Sequence, residues 1–326
     1  MTMKQALKTT AVLGGAAALT TAVGAWCGYR TAFQADPRRQ SPIQEIPKGE
    51  GFDDYRKQML ENIQILLETP YERVAVRSHD GLKLVGKFYE GQPGAPLILF
   101  FHGYRSTAER DGSGGFQLCR EKGWHVLMPD QRAHGESEGN TITFGVRERR
   151  DCLAWARYAA KRMGPDTPIF LWGISMGAAT VLMASDLPLP ETVHGIVADC
   201  GFDTPAGIVK ETIRHRHWPL FPLYPFTALG AWLFGGFSVT EASALDCVRR
   251  ARLPILLIHG EADHVVPCDM SRSLRDACAS KVELLTVPGA GHGISWYVDM
   301  PAYQEALLRF MEVCMEANCQ AKCSGN

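Results

Sequence analysis

A chain of 326 residues, 46% hydrophobic and 21% charged, can bury one large core and still carry an appendage. Its formal net charge of −1 supplies no basic field for a phosphate backbone, which argues against nucleic-acid binding. Ten cysteines over this length are too sparse for a disulfide scaffold, and Cys119, Cys152, Cys200, Cys247 and Cys278 sit singly in apolar or helical surroundings, as reduced thiols do.

The chain opens with TTAVLGGAAALTTAVGAW, residues 9–26, an uncharged run of 18 residues that is rich in Ala, Gly and Thr. Such a run is just long enough to cross a hydrocarbon core of about 30 Å. Residues 1–34 are therefore read as a single-pass N-terminal membrane anchor, in preference to a cleaved signal or an exposed leader, because no A-x-A site closes the run and Trp26 is too bulky before Cys27 for a lipoprotein site. Lys4 and Lys8 on one side balance Arg30, Arg38 and Arg39 on the other, so charge does not orient the segment.

Residues 35–70 read as a polar, proline-bearing linker followed by an amphipathic leading helix, DYRKQMLENIQILLE. ERVAVRS and LKLVGKFYE then alternate as a hairpin, with Asp80 and Gly81 in the turn. Six short apolar runs follow: PLILFFHG, WHVLMPD, PIFLWG, HGIVADC, PILLIHG and VELLTVPG. Continuous apolar runs indicate strands covered on both faces, and helical stretches such as GVRERRDCLAWARYAAKRMG and MSRSLRDACAS lie between them. The expected fold class is α/β, a mostly parallel sheet with helices on both faces and an antiparallel start. The domain is placed at 71–316, with a cap insertion at 203–246 whose aromatic residues, from Trp218 to Phe234, are unusual for a connection and whose prolines argue against a long helix. A cysteine-containing tail, 317–326, ends the chain; with Cys314, its Cys319 and Cys323 lack the CxxC or histidine partners of a zinc site, and no metal is expected.

Within this frame GISMG, residues 173–177, places Ser175 between a strand and a helix, in the turn that lifts a nucleophile off a sheet edge. A serine hydroxyl needs a base and the base needs an orienting acid. His292, in the glycine-rich loop PGAGHGISW after the last strand, is the expected base. HGEADHVVP offers Glu261 and Asp263; Asp263 is preferred as the acid, with Asp199 of ADCGF as runner-up. The backbone amides of Met176 and Tyr104 are the expected oxyanion donors. Arg105 and Ser106 are expected to line the site, and His102, Asp130, Arg132 and His134 to hold turns.

HGYRS, DQRAHGESEG, GISMG, HGEADHVVP and GAGHG, in this order, resemble the α/β-hydrolase superfamily, and in particular its serine-aminopeptidase-like or BEM46-like branch. The resemblance spans about residues 71–315 and implies the α/β-hydrolase fold, the triad Ser175, Asp263 and His292, the oxyanion amides of Tyr104 and Met176, and no cofactor. One departure is Ala133, where many relatives carry glycine, and it is expected only to stiffen the turn. The resulting expectation is a membrane-anchored serine hydrolase that acts on a small-molecule carboxylic ester, acyl or lipid-like, through an acyl-enzyme. An aminopeptidase using Glu136, Glu138 and Glu241 to hold a substrate amine, or a non-catalytic binding member of the fold, are the alternatives.

Overall fold

The computed structural model describes residues 3–35 and 45–324. Most of the expected linker, including Arg38 and Arg39, lies outside the described residues, as do the side chains of Lys4, Lys8, Cys319 and Cys323. In chain order the elements are α1 (Met3–Ala32), α2 (Phe52–Glu68), β1 (Glu72–Arg77), β2 (Lys83–Tyr89), β3 (Leu97–Phe101), α3 (Ala108–Glu121), β4 (His125–Pro129), α4 (Glu148–Met163), β5 (Ile169–Ile174), α5 (Met176–Ala184), β6 (Val193–Asp199), α6 (Pro205–His215), α7 (Leu220–Gly235), α8 (Ala244–Val248), β7 (Ile255–Gly260), α9 (Asp269–Ala277), β8 (Val282–Val287), α10 (Ser295–Val298) and α11 (Met300–Ser324).

Among the described residues eight strands form one sheet in the order β1-β2-β4-β3-β5-β6-β7-β8. β1 and β2 pair antiparallel, β2 joins β4 antiparallel, and every pairing from β4 to β8 is parallel. The apolar runs are continuous because successive side chains enter different cores. Leu97, Leu99 and Phe101 of β3 face the core closed by α4 and α5, whereas Ile98 and Phe100 face the core closed by α2, α3 and α11.

Three helices depart from the sequence expectation. Gly112, Gly114 and Gly115 disguise α3, yet Thr107 caps it by accepting from the Arg110 amide, and a Cβ on Gly115 would lie 2.5 Å from the Trp172 ring. In the insertion, α7 persists despite its prolines because the backbone breaks at Phe221, which puts Pro222 first in the helical stretch that follows, where a missing amide costs least, and leaves only Pro225 inside it. The C-terminal tail is not a separate segment: α11 runs unbroken to Ser324.

The largest correction concerns α1. Among the described residues no helix is long and apolar enough to cross a membrane. Instead the second half of α1 lies against α7 of the insertion, with Tyr29 and Phe33 buried in the core. Small residues let the two helices touch: a Cβ on Gly28 would sit 2.7 Å from the Thr227 Cα, and one on Gly230 would sit 2.1 Å from the Ala25 carbonyl oxygen. Beyond the helix, Gln34 bridges to Thr141 and the Ala35 amide donates to the Asn140 carbonyl at 2.8 Å.

The seam predicts that Gly230→Ala destabilises the fold by about 1–3 kcal/mol, because the backbone of α1 has to move. Gly15→Ala, at a position with open space around it, should change stability by less than about 0.5 kcal/mol. Thermal or urea denaturation of the two variants checks this, and equal effects would contradict the packing described.

Candidate active site

Ser175 links β5 to α5 with φ 54° and ψ −114°, a conformation that few side chains adopt. Glycine on both sides makes the turn possible. A Cβ on Gly173 would lie 2.2 Å from the Gly177 carbonyl oxygen, and one on Gly177 would lie 1.9 Å from the Phe101 carbonyl oxygen of the adjacent strand. The Ser175 amide donates to the Asp199 carbonyl at 2.8 Å, which ties the turn to β6.

His292 arrives on the loop after β8. Its Nε2 is 2.9 Å from the Ser175 Oγ, and its Nδ1 is 2.7 Å from the Asp263 Oδ2. The carboxylate leaves Nδ1 protonated, so Nε2 accepts from the serine hydroxyl. Asp263 is itself fixed, since its Oδ1 accepts from the amides of Val265 and Val266, each at 2.8 Å. His259, which the sequence reading did not single out, presents Nε2 to Asp263 Oδ2 at 3.3 Å and to the Val266 carbonyl at 2.8 Å.

Burial alone would raise the Asp263 pKa, but hydrogen bonds from His259 and His292 hold it far below the usual carboxylate range. For His292 burial works toward the neutral ring, yet the hydrogen bond and charge of Asp263 lift its pKa above the ordinary histidine value. Asp199 differs: burial pushes its pKa up to about 6, its Oδ2 accepts from the Tyr303 hydroxyl at 3.0 Å, and its Oδ1 has no hydrogen-bond partner among the described residues. Glu261 is exposed on the loop.

Tyr104 and Met176 lie beside Ser175 and His292 in the wall of a cavity of about 760 Å³. Two buried histidines brace the loop that carries Tyr104. His102 accepts the Gln131 amide at 3.0 Å, and His134 accepts the Arg105 amide at 3.0 Å with its pKa pushed down to about 3, mainly by burial. Arg132 is buried between Asp151 at 2.6 Å and Asp80 at 2.9 Å. Asp130 accepts the Glu136 amide at 2.9 Å. Ala133 sits at φ 64°, in the left-handed region, so this departure from glycine adds backbone strain rather than only stiffness.

The cavity is walled by Phe144, Phe202, Ile208, Val209, Leu223 and Phe226, with Arg105 and Arg216 as its cations. The sequence reading missed one whole side of it: Gly24, Cys27, Gly28, Thr31 and Ala32 of α1. A glycine pair four residues apart within a helix was the available signal. Arg105 joins that side to the Tyr104 loop, donating to the Thr31 carbonyl at 3.0 Å. Glu136, Glu138 and Glu241 do not converge here, being bound respectively to Arg73, the Lys83 amide and the Ser238 amide.

Among the described residues two groups of side chains have metal-ligand types within 4.8 Å of one another, Cys200 with Asp263 and His292, and His79 with Asp80 and Asp151. In both, protein donors already occupy the carboxylates: His292 and two amides on Asp263, and the Arg132 guanidinium on Asp80 and Asp151.

Sequence comparison joins this geometry to a family. A model described as the alpha/beta hydrolase fold matches residues 96–222, and one described as serine hydrolase (FSH1) matches residues 228–294. The chain belongs to the α/β-hydrolase superfamily. Among curated relatives, the lysophosphatidylserine lipase ABHD12 of Danio rerio is 28% identical over 59% of this chain and 50% of its own length. The uncharacterized protein YqkD of Bacillus subtilis is 26% identical over 60% of this chain and 64% of its own. This chain thus spans between half and two thirds of the length of those two relatives. Among solved structures, the Pyrococcus furiosus esterase Pf2001 superposes with a TM-score of 0.63 at 21% identity, covering 84% of this chain and 98% of that one, a likeness of fold.

The charge arrangement predicts that the His292 imidazole titrates above the ordinary histidine range, and that Asp263→Asn lowers the midpoint by about one pH unit or more. Histidine NMR titration measures both. A midpoint that moves with Asp199→Asn and stays put with Asp263→Asn would assign the charge to the wrong carboxylate here.

Proposed function

We propose that the protein is a serine hydrolase that cleaves a carboxylic ester of an acyl or lipid-like substrate through an acyl-enzyme. The observation that carries this reading is the unbroken hydrogen-bond chain from Ser175 through His292 to Asp263 at the mouth of an apolar cavity. His292 takes the Ser175 proton as Oγ attacks the acyl carbonyl, while Asp263 holds the imidazole in the working tautomer and balances its charge. The amides of Tyr104 and Met176 receive the oxyanion, each contributing about 10²-fold to 10³-fold in rate. The leaving alcohol takes the proton back from His292, and water then releases the acid by the same route. The 760 Å³ cavity is the site of the acyl chain. The lipase and esterase names of the relatives point the same way.

Ser175→Ala should abolish labelling by a fluorophosphonate and lower kcat on p-nitrophenyl esters by at least about 10⁴-fold. Asp263→Asn should cost about 10³-fold to 10⁴-fold and Asp199→Asn less than about tenfold. Each buried methylene contributes about 0.8 kcal/mol, so kcat/KM should rise at least about tenfold from acetate to octanoate. Amino-acid anilides turned over faster than any ester would defeat the ester reading.

Leu19, Val23 and Trp26 of α1 and Trp232, Leu233 and Phe234 of α7 are exposed, and Trp26 packs on Phe234 with centroids 5.1 Å apart. Aromatic and aliphatic groups of this kind suit the headgroup boundary of a bilayer, so α1 and α7 rest on a membrane surface. Vesicle co-sedimentation should show binding that Trp26→Ser with Trp232→Ser weakens about fivefold or more; unchanged binding would remove the membrane from the reading.

A further inference from the structure

Ser175 and His292 also face a second cavity, of about 420 Å³, on the other side of the reacting atoms. Tyr104 and Val265 line both spaces, and the two meet at the serine. An ester bound across this junction has its carbonyl carbon at Ser175 and its two arms in different surroundings.

The second cavity is the polar one. Its wall includes a strap before α2 that carries Lys48 and Glu50, and the start of α3 that carries Arg110 and Asp111. The strap is held in place. Gly49, Glu50 and Gly51 have φ of 79°, 51° and 84°, a run of left-handed residues that folds it inward. Gly291, beside His292, comes so close that a Cβ there would lie 2.2 Å from the Glu50 carbonyl oxygen. Arg56 of α2 donates to the carbonyls of Ile46 and Pro47, each at 3.1 Å.

The charges in this cavity are unequally used. Asp111 accepts from the Gly103 amide at 2.7 Å and from the Ser106 hydroxyl, with the Arg110 Nε at 3.3 Å. Glu50 accepts the His264 amide at 3.4 Å. Lys48 makes no side-chain hydrogen bond or ion pair among the described residues, and neither does His215 across the cavity. Lys48 is therefore the cation of this wall with no partner at hydrogen-bond distance among the described residues: it is exposed, and Asp53 of α2, the carboxylate that its charge reaches, is already bound by Arg56.

We infer that this cavity is the leaving-group subsite and that it takes an alcohol bearing an anionic group, a phosphate or a carboxylate, with Lys48 as the counter-charge. The inference rests on the ester reading above. In the step it serves, the bond from Ser175 Oγ to the acyl carbon forms, the bond from that carbon to the alcohol oxygen breaks, and the proton from Oγ passes through His292 to the departing oxygen. The alcohol leaves through the polar cavity while the acyl group stays in the apolar one.

The test compares esters of one fatty acid with glycerol, glycerol 3-phosphate and glyceric acid. The wild-type kcat/KM should favour the anionic alcohols over glycerol by about tenfold, and Lys48→Glu should lower that ratio about tenfold or more, with Lys48→Arg retaining it. Lys57→Glu, on the exposed face of α2 and outside the cavity, should leave the ratio as in the wild type. Whichever anionic ester loses its advantage identifies the group that Lys48 meets. A ratio near one in the wild type, or one indifferent to Lys48→Glu, overturns the inference. If no ester is turned over, the ester reading fails, and calorimetric binding of glycerol 3-phosphate then judges the cavity separately. Affinity lost about fivefold or more in Lys48→Glu supports the subsite, whereas equal or undetectable binding rejects it.

Discussion

The turn at Ser175 exists because two backbones approach more closely than any side chain permits. With Gly177 pressed against the Phe101 carbonyl and Gly173 against Gly177, β5 can end and α5 begin within one residue. That residue then stands above the carboxyl edge of the sheet, in a strained backbone conformation that the surrounding core over-determines. Every other part of the site is arranged around the point so defined: the His292 loop from beyond β8, the Asp263 loop from beyond β7, and the Tyr104 loop from beyond β3.

Electrostatics give these loops different tasks. Asp263 receives two amides and two imidazoles, so it stays ionised although buried, and its charge is what raises His292. Asp199, only one strand away, receives a single tyrosine hydroxyl and has a pKa of about 6. Two carboxylates at neighbouring strand ends are thus separated in character by the number of donors each one has, not by burial, which both share.

The N-terminal segment binds the fold to the site. Its helix forms one wall of the apolar cavity, and the strap before α2 forms part of the polar one. A composition rich in Ala, Gly and Thr suits helix-to-helix contact as well as a membrane, because small side chains let α1 and α7 touch backbone to backbone. On the ester reading, the same segment then shapes both arms of the substrate without contributing a reacting atom.

The sheet, its antiparallel start and the candidate serine and histidine were legible in the sequence because each rests on local chemistry. Apolar runs of strand length, a serine between glycines and a histidine in a glycine loop keep their meaning wherever the chain carries them. Sequence order alone could not choose Asp263 over Asp199 on geometry, since the choice depends on which carboxylate reaches Nδ1 of a ring that is 29 residues from one and 93 from the other along the chain. Nor could it find α3 behind its glycines, the break that lets α7 hold two prolines, or the place of α1 against the insertion. Those were decided by tertiary structure, because each is a contact between surfaces far apart in the chain, and what a glycine or an alanine touches is not written in its neighbours.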